Sequence, residues 1–152
     1  MNVNAEINKS VYDLEFNQID GKPLKLSAYK NKVIVVINVA SNCGFTKQYD
    51  DMQSIWEKYN KKEFVLIGVP SNDFGKQEPG TNDEIKKFCE TNFNITFPMT
   101  EKTVVLGEKS HPFYQWAKET YGSKSIPKWN FHKIIINKSG QIVKTFSSFT
   151  NP

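Results

Sequence analysis

Two segments of the chain are almost continuously apolar, and the polar and apolar positions around them fall into clear periods. Val33 to Val39 (VIVVINV) and Phe64 to Val69 (FVLIGV) are aliphatic and β-branched with little alternation. That pattern predicts strands buried on both faces. Between them Tyr49, Met52, Trp56 and Tyr59 recur at helical spacing, so a βαβ unit with parallel strands and a right-handed crossover is expected. Upstream, Val11 to Phe16 and Leu24 to Leu26 flank Asp20-Gly21-Lys22-Pro23 and predict an N-terminal β-hairpin. Downstream, a turn-rich loop runs from Pro70 to Gly80. Thr81 and Glu84 then form a T-x-x-E capping box opening a helix whose apolar side carries Ile85, Phe88 and Cys89. A further helix starts at His111-Pro112, presents Phe113, Trp116, Ala117 and Tyr121, and ends at Gly122. Phe131 to Ile136 and Gln141 to Phe146 flank Asn137-Lys138-Ser139-Gly140, the pattern of an antiparallel hairpin.

These elements sum to an α/β class: a central mixed β-sheet flanked by helices, with an N-terminal hairpin in front. The order resembles a thioredoxin-like fold. There is no internal repeat, low-complexity tract or linker, so residues 1–152 are read as one domain. The thioredoxin-like fold normally closes with a helix after the last hairpin. This chain stops at Asn151-Pro152, which leaves either a naturally short protein or a missing C-terminal helix.

Composition narrows the function classes. With 38% hydrophobic and 13% aromatic residues, 152 residues build a packed core, which excludes a disordered tail and a staple-dependent scaffold. No stretch approaches the roughly 20 apolar residues that span a bilayer, so no integral membrane segment is expected. Met1 to Ser10 is polar and lacks the apolar centre of a secretory leader, which points to the cytoplasm. The net charge is +4, yet all 20 basic residues are Lys and they are scattered. Without Arg forks or a basic stripe, nucleic acid is not an expected partner. Cys43 and Cys89 are too few for a disulfide framework, and with only His111 and His132 besides they offer no close metal-ligand pair. No metal or other cofactor is expected. In a reducing compartment the cysteines are left with packing, catalysis or redox sensing.

Cys43 lies in Ser41-Asn42-Cys43-Gly44-Phe45-Thr46, between the carboxyl end of the first buried strand and a helix start. Ligand sites of open α/β sheets favour that place, and helix-end dipoles and N–H donors favour a thiolate nucleophile. The alternative is a small buried hydrophobe, the usual state of a free cysteine. Taken singly, Gln77 reads as a solvated loop residue, Trp129 as a core aromatic at a strand start, and Asn130 as a turn residue. Cys89 reads as core packing on a helix face. His132 is expected to point off a strand, and His111 to begin a helix.

Three segments in order resemble the glutathione peroxidase family in its cysteine form: NVASNCGFT (Asn38 to Thr46), NDFGKQEPG (Asn72 to Gly80) and WNFHK (Trp129 to Lys133). ITFP (Ile95 to Pro98) and HPFY (His111 to Tyr114) match in between. The resemblance implies a catalytic tetrad of Cys43, Gln77, Trp129 and Asn130. The chemistry suits those types: thiolate attack on an O–O bond needs a stabilised sulfur anion and a cradle for the departing oxygen. Two amides and an indole N–H are neutral donors for both tasks. The leaving-group proton could come from a nearby Lys or a water.

The resemblance also gives Cys89 a different reading from its packing, since KKFCETNF (Lys86 to Phe93) is similar to the helix carrying the resolving cysteine of thioredoxin-dependent members. At the other position where some members have a cysteine, this chain has Ser71. Glutathione-preferring members use basic residues including Arg and a longer assembly loop. Here Arg is absent and about a dozen residues separate Pro98 from His111, which favours a monomer reduced by thioredoxin rather than glutathione. The expected reaction is reduction of hydrogen peroxide and organic hydroperoxides, lipid hydroperoxides among them, through a Cys43 sulfenic acid and a Cys43–Cys89 disulfide. A peroxide sensor or redox relay that passes oxidation to a partner protein needs the same tetrad. A thioredoxin-like binding module without chemistry does not need it.

Overall fold

The computed structural model describes residues 9–152. The polar stretch read as lacking a leader therefore lies outside the described residues, except for Lys9 and Ser10. The N-terminal hairpin forms with shorter arms than expected: β1 (Glu15–Asn17) pairs antiparallel with β2 (Pro23–Lys25), Phe16 facing Leu24. Val11–Asp13 is a 3₁₀ turn instead of strand. Ser10 and Asp13 cap it reciprocally, and the turn buries Val11. Local side-chain-to-backbone bonding here outcompetes the ladder.

The main sheet is mixed, in the order β4-β3-β5-β6. β3 (Val33–Val39) and β4 (Phe64–Pro70) run parallel in register from Val33↔Phe64 to Val39↔Pro70. α1 (Gln48–Tyr59) makes the crossover. α2 (Asn82–Phe93) opens on the Thr81–Glu84 capping box, and α3 (Pro112–Tyr121) on His111, whose ring nitrogen accepts from the Phe113 N–H at 3.0 Å. Gly122 ends α3 at φ +82°, a backbone position that an L side chain would strain. β5 (Lys133–Ile136) then pairs antiparallel with β3, and β6 (Ile142–Phe146) with β5.

The sheet is covered on both faces because its strands are apolar on both. Ile34, Val36, Val65, Ile67, Ile134 and Ile136 pack with Phe113, Trp116 and Ala117 of α3. Ile37, Val39 and Leu66 pack on the other side with Tyr49 and Met52 of α1 and Ile85 and Cys89 of α2. Each such buried aliphatic or aromatic side chain stabilises by roughly 1.5–3 kcal/mol relative to exposure. No helix among the described residues is long and apolar enough to cross a membrane.

The topology gathers three loops at one end. β3 and β4 end together at Val39 and Pro70. β5 arrives antiparallel, with Lys133 opposite Ile37, so the segment just before it reaches the same end. Residues 40–47, 71–81 and 127–132 therefore converge from distant parts of the chain.

Candidate active site

The first loop carries Cys43. Thr46 holds it: its Oγ1 accepts the Cys43 N–H at 3.0 Å and donates to the Ala40 carbonyl at 2.9 Å. Successive turns, from the Thr46 N–H to the Cys43 carbonyl and from the Gln48 N–H to the Phe45 carbonyl, lead into α1. Cys43 thus stands about one helical turn upstream of α1, further out than the expected helix entrance. The helix dipole fades over that distance. What the sulfur receives instead is a single local donor, the Phe45 N–H, 3.3 Å from Sγ. The thiol is partly exposed.

The second loop carries Gln77. Its polar residues are used as turn acceptors: Ser71 Oγ accepts the Asp73 N–H, Asn72 Oδ1 accepts the Glu78 N–H, and Asp73 Oδ2 accepts the Val105 and Leu106 N–H groups. Gly75 sits at φ +64°, and a Cβ there would lie 3.1 Å from the Trp129 ring and 3.5 Å from Gln77 Nε2. A glycine is needed for both the conformation and the close approach. The Gln77 carbonyl accepts the N–H of Asn42, next to Cys43, at 3.0 Å, which ties the first two loops together.

The third segment, Trp129-Asn130-Phe131, is a turn and not the start of the strand, which begins only at Lys133. The reason is Phe131, buried at φ +64°, where extended backbone is impossible. Asn38, buried in β3, clamps both sides of Asn130. Its Nδ2 donates to the Trp129 carbonyl at 3.0 Å and its carbonyl accepts the Phe131 N–H at 2.6 Å. A left-handed non-glycine residue costs about 1–3 kcal/mol, which two such bonds offset. Asn130, fully buried, then donates from Nδ2 to Gln77 Oε1 at 3.0 Å, so the Gln77 amide turns its Nε2 the other way. Asn130 Oδ1 has no partner. Trp129 is 36% exposed and leans on Phe74, with ring centroids 5.7 Å apart.

The structure thus joins Gln77, Trp129, Asn130 and the loop of Cys43 in one hydrogen-bonded patch. Two residues beside it are buried, and one departs from expectation. His132 does not point off a strand: it is buried just before β5, and that burial, with Lys133 beside it, lowers it to about 4. Lys133 is buried as well, lowered to about 8 by desolvation, and spends its ammonium donors on Gln48 Oε1 at 2.6 Å and the Ser147 carbonyl at 3.2 Å.

Cys89 sits apart from this patch, inside α2. It is buried among Tyr49, Ile85 and other core side chains, and desolvation pushes its thiol up to about 11. The Tyr49 hydroxyl faces it without completing a regular hydrogen bond. Both cysteines are free thiols. Ser71, at the other candidate position, is buried and serves the turn after β4, donating its N–H to the Val39 carbonyl.

Sequence reasoning passed over Asn38 and Thr46 as site residues. Asn38 did leave a signal: a lone amide inside VIVVINV must find partners once both faces of the strand are buried. Thr46 left none, because a hydroxyl near a turn has many equivalent uses.

The chain is similar to known proteins over most of its length. The Glutathione peroxidase family model matches residues 11–118. Glutathione peroxidase-like peroxiredoxin 2 of Saccharomyces cerevisiae is 42% identical, the alignment covering 94% of this chain and 90% of the relative. Hydroperoxy fatty acid reductase gpx1 of Synechocystis is 37% identical, covering 97% and 92%. The crystal structure of a thiol:disulfide interchange protein, a thioredoxin family protein from Chlorobium tepidum, superposes with a TM-score of 0.65 at 17% identity, covering 88% of this chain and 81% of that one. That likeness shows the fold, which is thioredoxin-like.

Proposed function

The chain belongs to the glutathione peroxidase family and is a thiol peroxidase, and from that premise we propose that Cys43 is its peroxidatic sulfur. The observation that carries this assignment is the hydrogen-bonded junction of the three loops, where Asn42 meets Gln77 and Gln77 meets Asn130 beside a partly exposed thiol. The Cys43 sulfur attacks one peroxide oxygen, the O–O bond breaks, and the departing oxygen leaves as water or an alcohol after taking a proton. The amide donors of Gln77 and Asn130 and the Trp129 indole N–H stabilise the sulfur anion and the developing oxyanion. Cys43 is left as a sulfenic acid. Cys89 then displaces its oxygen as water, forming a Cys43–Cys89 disulfide.

The substrates are hydrogen peroxide and organic hydroperoxides. The exposed Trp129 and partly exposed Cys43 suit a site open enough for a long acyl chain, and the Synechocystis relative is named for hydroperoxy fatty acids. The reductant is thioredoxin, acting on a monomer. The absence of Arg and the short segment between Pro98 and His111 support that choice over glutathione.

The test is NADPH-coupled consumption of hydrogen peroxide and of a fatty acid hydroperoxide, with either the thioredoxin or the glutathione reducing system. Sustained turnover with thioredoxin, weak turnover with glutathione and loss of both in Cys43→Ser are expected. The serine oxygen is a far poorer nucleophile, so the loss should be on the order of 10³-fold or more. A single turnover that ends in a disulfide with a partner protein would replace the enzyme with a relay, and an active Cys43→Ser variant would refute the assignment of the sulfur.

A further inference from the structure

The segment after β6 carries the most exposed large apolar side chain among the described residues, Phe149, at 84%. Single exposed apolar side chains are ordinary on protein surfaces. What sets Phe149 apart is how firmly its backbone is held and what its ring touches. Ser148, buried just before it, donates from Oγ to the Asn130 carbonyl at 2.5 Å. The Ser148 carbonyl accepts from Gln48 Nε2 at 2.6 Å. The Ser147 carbonyl accepts from the buried Lys133 ammonium and from the Thr150 N–H, each at 3.2 Å. Ser147 Oγ accepts the Phe149 N–H at 3.3 Å. Buried groups of α1, β5 and the Asn130 turn thus fix a short turn that presents a phenylalanine to solvent.

The Phe149 ring meets Phe45 edge-on, with centroids 5.3 Å apart and planes at 90°. Phe45 is half-buried on the cluster that contains Tyr49 and Phe131, and its N–H is the donor 3.3 Å from Cys43 Sγ. Direct contacts therefore lead from Phe149 through Phe45 to the sulfur. Trp129, also exposed, immediately precedes Asn130, so two exposed rings are tied to the same buried turn. Hydrogen peroxide has no carbon to lay against such rings, whereas the organic part of a long hydroperoxide extends from the reacting oxygens across them. One aromatic ring buries about 150–250 Å², far below the roughly 800 Å² per partner of a stable protein interface. The patch is the size for a chain of methylenes.

We propose that Phe149, standing on Phe45, is the platform on which the acyl chain of a fatty acid hydroperoxide lies while its peroxide group meets Cys43. This rests on the reading of Cys43 and of its organic substrates given above, and it makes Phe149 a specificity-determining residue. Contact made by a remote, non-reacting part of the substrate raises kcat/KM for that substrate alone. The ring therefore discriminates among hydroperoxides and leaves the chemistry of the sulfur untouched.

The experiment measures oxidation of reduced protein by hydrogen peroxide, tert-butyl hydroperoxide and linoleic acid hydroperoxide, the last kept below its micelle concentration. Rate constants come from stopped flow, and modification of Cys43 is read by mass spectrometry in the same samples. In Phe149→Ser the rate with linoleic acid hydroperoxide should fall about tenfold, while those with hydrogen peroxide and tert-butyl hydroperoxide stay at wild type. Phe149→Leu, which keeps an apolar surface, should restore most of the loss. An equal fall with all three oxidants would mark a structural role and overturn the proposal, as would an unchanged rate with linoleic acid hydroperoxide. A loss confined to reduction of the oxidised protein by thioredoxin would give the ring to a protein partner instead. The wild type supplies a further measurement that needs no variant: it should prefer the long hydroperoxide to tert-butyl hydroperoxide, and equal rates would overturn the platform. Linoleic acid hydroperoxide that oxidises the wild type without modifying Cys43 would defeat the reading of Cys43, and this inference with it. Cys43 oxidised equally fast by it in wild type and Phe149→Ser would defeat the platform alone.

Discussion

The two cysteines sit in opposite surroundings. Cys43 lies on a loop held by Thr46, partly open to solvent, with an N–H directed at its sulfur. Cys89 lies within a capped helix, sealed among Tyr49 and Ile85, and its thiol is pushed up to about 11. The same functional group is reachable in one place and stored in the other. A disulfide needs Cα atoms about 4.4–6.8 Å apart with facing β-carbons. The proposed Cys43–Cys89 disulfide, joining a loop thiol to one packed inside a helix, is expected to unwind part of α2, and an oxidised structure with α2 intact would refute that expectation.

The largest effect is expected at the buried cysteine. Cys89→Ser is expected to form the sulfenic acid normally and to lose thioredoxin-driven turnover by about 10²-fold or more, read as NADPH consumption beside sulfenic acid trapping. Unchanged turnover would mean that Cys89 is only core. Next come the donors proposed to serve Cys43. Gln77→Ala, Trp129→Phe and Asn130→Ala should each slow the peroxide step by about 10- to 10³-fold, with shared work among them softening single losses. Thioredoxin-linked reduction of the preformed disulfide should stay near wild type, and stopped-flow kinetics of the two half-reactions separate the effects.

A smaller effect is expected at Asn38, which touches neither sulfur. Asn38→Ala removes the bond to the Trp129 carbonyl and the clamp on the left-handed Phe131. It should destabilise the fold by about 1–3 kcal/mol in urea melts and slow the peroxide step about tenfold by loosening Asn130. Intact peroxide kinetics would show that the turn holds itself.

The smallest effect sharpens the electrostatic contrast. Cys89 is raised in the folded protein from an ordinary 9.0 to about 11. Above pH 9 the unfolded chain therefore releases a proton that the folded protein keeps, and the stability contributed by Cys89 is lost as pH rises from 9 toward 11. Urea midpoints across that window should fall more steeply in wild type than in Cys89→Ala. Parallel slopes would show that Cys89 is not desolvated.

Much of this was legible along the chain. VIVVINV, FVLIGV, the Tyr49–Tyr59 period and the Thr81–Glu84 box determined strands, helices and their order, because apolar periodicity and capping act over a few residues. The three motifs likewise named Cys43, Gln77, Trp129 and Asn130 as candidates. Their meeting is tertiary: the bond from Asn130 to Gln77 spans 53 positions and that from Asn38 to Trp129 spans 91. No local pattern encodes such a pairing. The left-handed Phe131 and the burial of His132 and Glu78 were decided the same way, by what other elements bring against them. Desolvation is a property of the assembled neighbourhood, and so the difference between a reachable Cys43 and a stored Cys89 arises only when the sheet, α1 and α2 close around one of the two.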